Sequence, residues 1–193
     1  MSTVAQPPMY GWDTMPWRKL RRSVWKLQKR IYQAKLGGNT ELVRKLQRLL
    51  MSSRAAKLLA VRRVTQDNSG KKTAGIDGVH SLSARQRLRM AHHLRIDGSA
   101  KPVRRVWIDK VDSEEKRPLG IPVMEDRARQ ALVKEALEPE WEACFEAHSY
   151  GFRPGRSCHD AIEAIFMAVA RKEKYVLDAD IAKCFDALSN KCS

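Results

Sequence analysis

Between residues 17 and 34 the apolar side chains fall at Trp17, Leu20, Val24, Leu27, Ile31 and Ala34. Steps of three and four place them along one side of a helix. Most of the intervening positions are Arg or Lys. A chain with this pattern must bury the apolar stripe against other elements of its own and turn a cationic surface outward. Gly37-Gly38 ends the helix, because glycine accepts the left-handed backbone that a helix end favours. Asn39 and Thr40 open a second helix, with Leu42, Leu46 and Leu49 on one face and cations continuing to Arg63. The expectation is a pair of antiparallel basic helices joined by a Gly-Gly-Asn turn.

The charge is unevenly placed. The 193 residues carry a net charge of +15, yet residues 1–72 hold 17 Lys/Arg against 3 acids and residues 73–193 hold 20 against 19. The first segment therefore carries +14 and the second +1. The change falls in Asp67-Asn-Ser-Gly-Lys-Lys72, which has the composition of a loop, so the domains are expected at 1–72 and 73–193. A polyanion is the natural partner of the first. Trp12, Trp17, Trp25 and Tyr32 lie among its cations, which suits RNA or DNA backbone binding with some rings stacked on bases. The plainer alternative makes Trp25 a core residue and the charges a solvated helix face.

Several classes drop out. No run approaches 18 apolar residues, so no membrane span is expected, and the N-terminus lacks the basic start and apolar run of a secretory signal. Residues 17–63 share the Arg-rich, acid-poor look of a transit peptide, but two separate helical patterns and their length argue against one. Cys144, Cys158, Cys184 and Cys192 form no CxxC pair, which fits reduced thiols and a cytoplasmic location.

Beyond the loop, Thr73-Ala-Gly-Ile-Asp-Gly-Val79 has tight-turn composition and a helix is expected at about 82–96. Val103–Ile108 alternates like a strand, and Arg117–Val123 returns extended because its two prolines forbid a helix. Asp126 is placed to cap a long helix reaching Phe145. Residues 149–156 read as irregular, 158–172 as a helix, and Lys174–Ile181 as a final strand.

Asp178 and Asp180 lie two apart, on one face of that strand. They suit ligation of a hard cation such as Mg²⁺, or Asp178 pairs with an arginine while Asp186 caps a following helix. Arg153 and Arg156 stand among Gly151, Gly155 and Pro154, where backbone and guanidinium could meet a phosphate; a plain loop with solvated arginines fits the composition nearly as well. Lys110 and Arg117 flank a hairpin turn from which two cations could grip a triphosphate, or simply sit in a solvated hairpin with Glu114 and Glu115.

The order of the short motifs resembles the N-terminal portion of a bacterial, notably cyanobacterial, group II intron-encoded reverse transcriptase/maturase. The likeness covers about residues 9–186. It rests on Met9-Tyr-Gly-Trp12, Pro16-Trp-Arg-Lys19, Leu27-Gln-Lys-Arg-Ile-Tyr32, Ala60–Asp67, Gly75-Ile-Asp-Gly78, Arg117-Pro-Leu-Gly-Ile-Pro122, Gly151-Phe-Arg-Pro-Gly-Arg156 and Tyr175–Asp186. The resemblance implies an α+β fold: a basic helical RNA-binding module, then the fingers and first palm strand of a right-hand polymerase, incomplete. It makes Asp180 the first catalytic carboxylate and a Mg²⁺ ligand, with the carbonyl of Ile181 beside it. Phe185 takes the position that excludes a ribose 2′-hydroxyl, and Lys110 and Arg117 match the cations that hold the incoming nucleotide. Arg153 and Arg156 would lie along the template. Arg18, Lys19, Arg21, Arg22, Lys26, Lys29, Arg30, Arg62 and Arg63 would contact intron RNA, and the complete enzyme would also hold template RNA and primer DNA. No oligomeric state follows.

The likeness breaks at two points. The chain has no Tyr-Ala-Asp-Asp motif, the source of the other metal-binding carboxylates that two-metal phosphoryl transfer needs. The tail Ala187–Ser193 also departs from the family pattern. The expectation is a truncated or frameshifted reading frame, or a clipped piece of a longer polymerase, that is inactive alone. The alternative is a non-enzymatic RNA-binding module that acts as a splicing factor.

Overall fold

The computed structural model describes residues 11–109, 114, 116–171 and 173–181. The chain divides into two compact units, Met1–Phe145 and Glu146–Ser193.

In the first unit, α1 (Trp17–Leu36) buries Val24, Ile31 and Ala34, as the periodicity dictates. Its end turns at Gly38, whose φ of +71° lies in the left-handed region. Helix α2 (Thr40–Ser52) starts where Asn39 accepts the Leu42 N–H and buries Val43, Leu46 and Leu50. The second helix expected through Arg63 is broken. Ser53 is extended at φ −63° and ψ 128°, and α3 (Arg54–Arg62) begins anew, followed by a π-helical turn at Arg63–Asp67 and a 3-10 turn at Ser69–Lys72. The break lets α3 pack against α1, α4 (Ala84–His93) and α5 (Met124–Glu142), and tertiary burial of Ala56, Leu58 and Val61 overrides continuous helix propensity.

Helix α5 packs against α1, α2 and α3. Residues on both sides of position 72 therefore share one core, which includes Ile31, Leu50, Val61, Leu94 and Leu132. Asp126 does not cap this helix. The N-cap is Val123, and the Asp126 carboxylate accepts the Lys101 N–H at 2.9 Å and Arg129 at 3.1 Å. A proline interrupts α5 without ending it, at buried Pro139. Strands β1 (Arg104–Asp109) and β2 (Lys116–Ile121) form an antiparallel hairpin, with Trp107 opposite Pro118 and Ile108 opposite Arg117.

The Gly75–Gly78 motif meets the end of the Arg117–Pro122 motif. A Cβ at Gly75 would stand 2.7 Å from Val123 Cα and 2.9 Å from the Pro122 carbonyl. Arg127 holds the junction, donating to the carbonyls of Pro122, Gly70 and Thr73 at 2.9, 2.9 and 2.7 Å.

In the second unit, α6 (Cys158–Val169) starts at a capping box formed by Ser157 and Asp160 and has no buried residue. The final strand expected at Lys174–Ile181 does not form. Residues 173–181 carry no strand, and Tyr175, Val176 and Leu177 are exposed. Alternation makes a segment fit for a sheet, but a strand exists only when a neighbour takes its backbone hydrogen bonds. Among the described residues, this segment has no such neighbour.

Candidate nucleic-acid interface

Helix α1 carries eight Lys/Arg and no acidic residue. Its buried stripe fixes which way the rest must point. Arg18, Lys19, Arg21, Arg22, Lys26, Lys29 and Arg30 are exposed, and none has an ion-pair partner among the described residues. The eighth, Lys35, turns to Glu140 at 3.3 Å, which raises its pKa above the usual lysine value, chiefly through that hydrogen bond. Trp25 shares the cationic surface with 58% of its area exposed, so it is not a core residue. Lys29 Nζ lies 5.6 Å from its ring centroid.

Lys26, Lys29 and Arg30 rim an open cleft of about 600 Å³ between α1 and α2, with Ala34, Leu42 and Leu46 in its wall. A second cleft of about 710 Å³ is edged by Arg54, Lys57 and His92 over Leu58, Leu88 and Ala91. Sequence reasoning did not single out this second group. The spacing of Arg54 and Lys57 was available as a signal, but the helix restart at Ser53 that aims them was not.

Other cations counted with the RNA contacts are engaged within the protein. The Arg62 guanidinium lies 4.6 Å from the Trp17 ring centroid and 3.3 Å from Asp67. Trp17 in turn meets Trp12 edge to face at 4.9 Å. Trp12 is buried and donates to Gln66 at 2.9 Å. Arg63 is exposed on the π turn. In the second unit, Arg153 is buried and donates to the carbonyls of Glu146 and Ser149, both at 2.8 Å. Arg156 donates to the Ala147 carbonyl at 3.2 Å and lies 5.4 Å from the Tyr150 ring centroid. These two arginines tie the 146–156 loop to itself.

Arg117 is exposed on β2, on the face that carries Ile108 and Leu119. Lys110, its expected companion, lies outside the described residues, as does Phe185. Asp180 is exposed, and its carboxylate accepts the Ile181 N–H at 2.8 Å. No three His, Cys, Asp or Glu side chains come together to hold a metal among the described residues. Asp180 and the Ile181 carbonyl fall short of the roughly six oxygens that a hard divalent ion takes, so the described residues do not make a closed metal centre. No described helix is long and apolar enough to cross a membrane.

Two family models match the chain: the N-terminal domain of reverse transcriptase over residues 12–94, and reverse transcriptase (RNA-dependent DNA polymerase) over residues 108–191. Among curated proteins, Protein YkfC of Escherichia coli strain K12 is 34% identical over 158 residues, covering 76% of this chain and 41% of its own. Group II intron-encoded protein LtrA of Lactococcus lactis subsp. cremoris is 38% identical over 127 residues, covering 64% and 21%. Maturase-like protein 1 of Euglena gracilis is 32% identical over 154 residues, covering 78% and 33%. The chain thus spans less than half the length of each of these relatives. Reverse transcriptases as a family generally use divalent metal ions. The matched segments and these relatives together show that the chain belongs to the reverse transcriptase/maturase family of group II intron-encoded proteins, of which it carries an N-terminal portion.

Proposed function

We propose that this chain supplies the RNA-anchoring surface and part of the nucleotide site of a group II intron reverse transcriptase/maturase. The observation that carries the proposal is the face of α1: seven exposed cations, no acid, and no ion-pair partner for those seven among the described residues. Fixed positive charge held clear of the core releases counterions from a phosphate backbone on contact, which suits the charged surface of a folded intron RNA. Arg18, Lys19, Arg21, Arg22, Lys26, Lys29 and Arg30 lead this contact, with Arg63 on the adjoining turn, and residues 1–72 act as its module. Arg62 supports it from within by holding Trp17.

On the same reading, Arg117 with Lys110 steadies the incoming triphosphate, Phe185 selects deoxyribose, and Asp180 with the Ile181 carbonyl contributes part of a Mg²⁺ site. Template RNA and primer DNA are partners of the complete right-hand polymerase. Arg156 lies toward the template, with Arg153 shaping its loop. A cytoplasmic setting belongs to the proposal, since exposed thiols such as Cys144 and Cys158 persist under reducing conditions.

A second reading, an RNA-binding splicing module without polymerase activity, is favoured by one observation: among the described residues Asp180 belongs to no cluster of three or more His, Cys, Asp or Glu side chains that could hold a metal. The two readings share the RNA surface and differ in catalysis. Binding of a group II intron transcript by the full chain, with and without the α1 cations, tests what they share. Retention of full affinity after neutralisation would overturn both.

A further inference from the structure

The cationic face of α1 holds one large aromatic side chain that its core does not use. Arg18, Arg22, Trp25 and Lys29 follow one another at steps of four, three and four, so they form a single stripe along the helix. It runs roughly 16 Å at the helical rise per residue. The helix buries Val24, Ile31 and Ala34 on another side. Trp25 is left 58% exposed, with Lys29 Nζ 5.6 Å from its ring centroid. The residues three and four positions from it on the helix are Arg21, Arg22, Gln28 and Lys29.

An apolar protein partner would seek a patch of neighbouring apolar side chains, and no apolar side chain stands three or four positions from Trp25 on its helix. A nucleotide offers a different match: a flat π-face for the indole and a phosphate for the cations beside it. Only an unpaired base offers that face. In a duplex the base faces are covered by stacking, and A-form grooves present edges and hydroxyls instead.

We propose that Trp25 is a stacking platform for an unpaired RNA base, with Arg22 and Lys29 holding the phosphates on either side. This rests on the RNA-binding reading above and adds a base-level contact to it. The surface then prefers loops, bulges and single strands over continuous helix, and the preference comes from one ring rather than from charge.

The test uses the full chain and two probes: a stem-loop RNA with 2-aminopurine in an adenosine-rich loop, and a fully paired duplex of the same length. Trp25→Ala and Trp25→Leu are expected to weaken stem-loop binding roughly 5- to 150-fold, the range for losing one base–aromatic stack. Trp25→Phe keeps most of the affinity. Duplex affinity and the salt slope of every Trp25 variant stay unchanged, and the 2-aminopurine signal on binding is lost only in the Ala and Leu variants. Circular dichroism of each variant checks that α1 is retained, as expected for an exposed position.

Equal stem-loop affinity for Trp25→Ala and the parent, with Arg22→Gln and Lys29→Gln still weakening binding, overturns the stacking contact and leaves RNA binding standing. Equal losses on stem-loop and duplex, or full affinity in Trp25→Leu, also overturn stacking. If neither the Trp25 nor the Arg22 and Lys29 variants lose affinity, the RNA-binding reading of α1 falls with it.

Discussion

The side-chain amide of Gln28 donates to the backbone carbonyl of Glu135 at 3.0 Å, the carbonyl that Pro139 deprives of its helical N–H. Proline at position 139 cannot donate to residue 135 one turn back, yet α5 continues to Glu142. The amide from α1 fills the gap. Gln47 adds a second tie nearby, donating to the Ala136 carbonyl at 3.3 Å and to Glu140 at 2.7 Å. The helix that presents the cationic face is thus fastened to the helix that follows the hairpin.

Replacing Gln28 with Leu leaves that carbonyl without a partner, and the expected loss is about 1–2 kcal/mol of unfolding free energy. Pro139→Ala restores the helical N–H, so the loss should shrink in the double variant. Urea unfolding of the four proteins reads this coupling. Additive losses would show that the amide and the proline act independently.

Glu135 carries a second consequence. Its carboxyl is buried between packed helices, and one carboxylate oxygen has no hydrogen-bond partner. Burial pushes its pKa up from 4.5 to about 7, with Glu138 adding to the rise and the Arg63 charge opposing it. The folded state therefore holds this proton more tightly than the unfolded chain does, so stability is lost as pH rises from about 4.5 to about 7. A shift of this size corresponds to about 2–4 kcal/mol at its full extent. Glu135→Gln should remove most of the fall between pH 5 and pH 8 and be the more stable protein at pH 8. Parallel pH profiles for parent and variant would contradict this.

Gly75 packs where no side chain fits, because a Cβ there would stand within 3.0 Å of three backbone atoms of Pro122 and Val123. Gly75→Ala should lower stability by about 1–3 kcal/mol through overpacking. Gly151, which has nothing within 4 Å of its Cβ position, is the control and should tolerate Ala. Thermal unfolding of both variants decides it, and an unchanged midpoint for Gly75→Ala would count against the close contact between the two motifs.

Polymerisation is a separate matter. With Asp180 proposed as a metal ligand and no Tyr-Ala-Asp-Asp motif in the sequence, primer extension by this chain with Mg²⁺ and all four dNTPs should yield no product. Template-dependent extension would overturn that expectation and the splicing-module reading together.

Much of the fold was written in local patterns. The three-and-four spacing gave α1, Asn39 marked the start of α2, and the prolines at 118 and 122 kept β2 extended. The break at Ser53 was not legible, because nothing in Ser52-Ser53 forbids a helix and the turn exists to pack α3 against α1 and α5. The strand expected at 174–181 was misread because alternation records fitness for a sheet, not the presence of a neighbour. For the site, total charge was plain from composition, but the direction of each cation was not. Arg62 and Arg153 look like phosphate ligands in the sequence, and the fold turns one onto Trp17 and Asp67 and the other onto two carbonyls. Only the packing of α1 shows that Arg18, Arg22 and Lys29 are exposed and without an ion-pair partner among the described residues.

The proposed role of the exposed α1 cations is to hold RNA through its phosphates. The direct measurement is the affinity of the full chain for a group II intron transcript across a range of salt, for the parent and for a variant with Arg18, Arg22, Lys26 and Lys29 changed to Gln. The parent should give a steep linear fall of log affinity with log salt, and the variant a slope shallower by about 0.7–0.9 for each phosphate contact removed. Identical slopes and affinities in the two proteins would contradict the account.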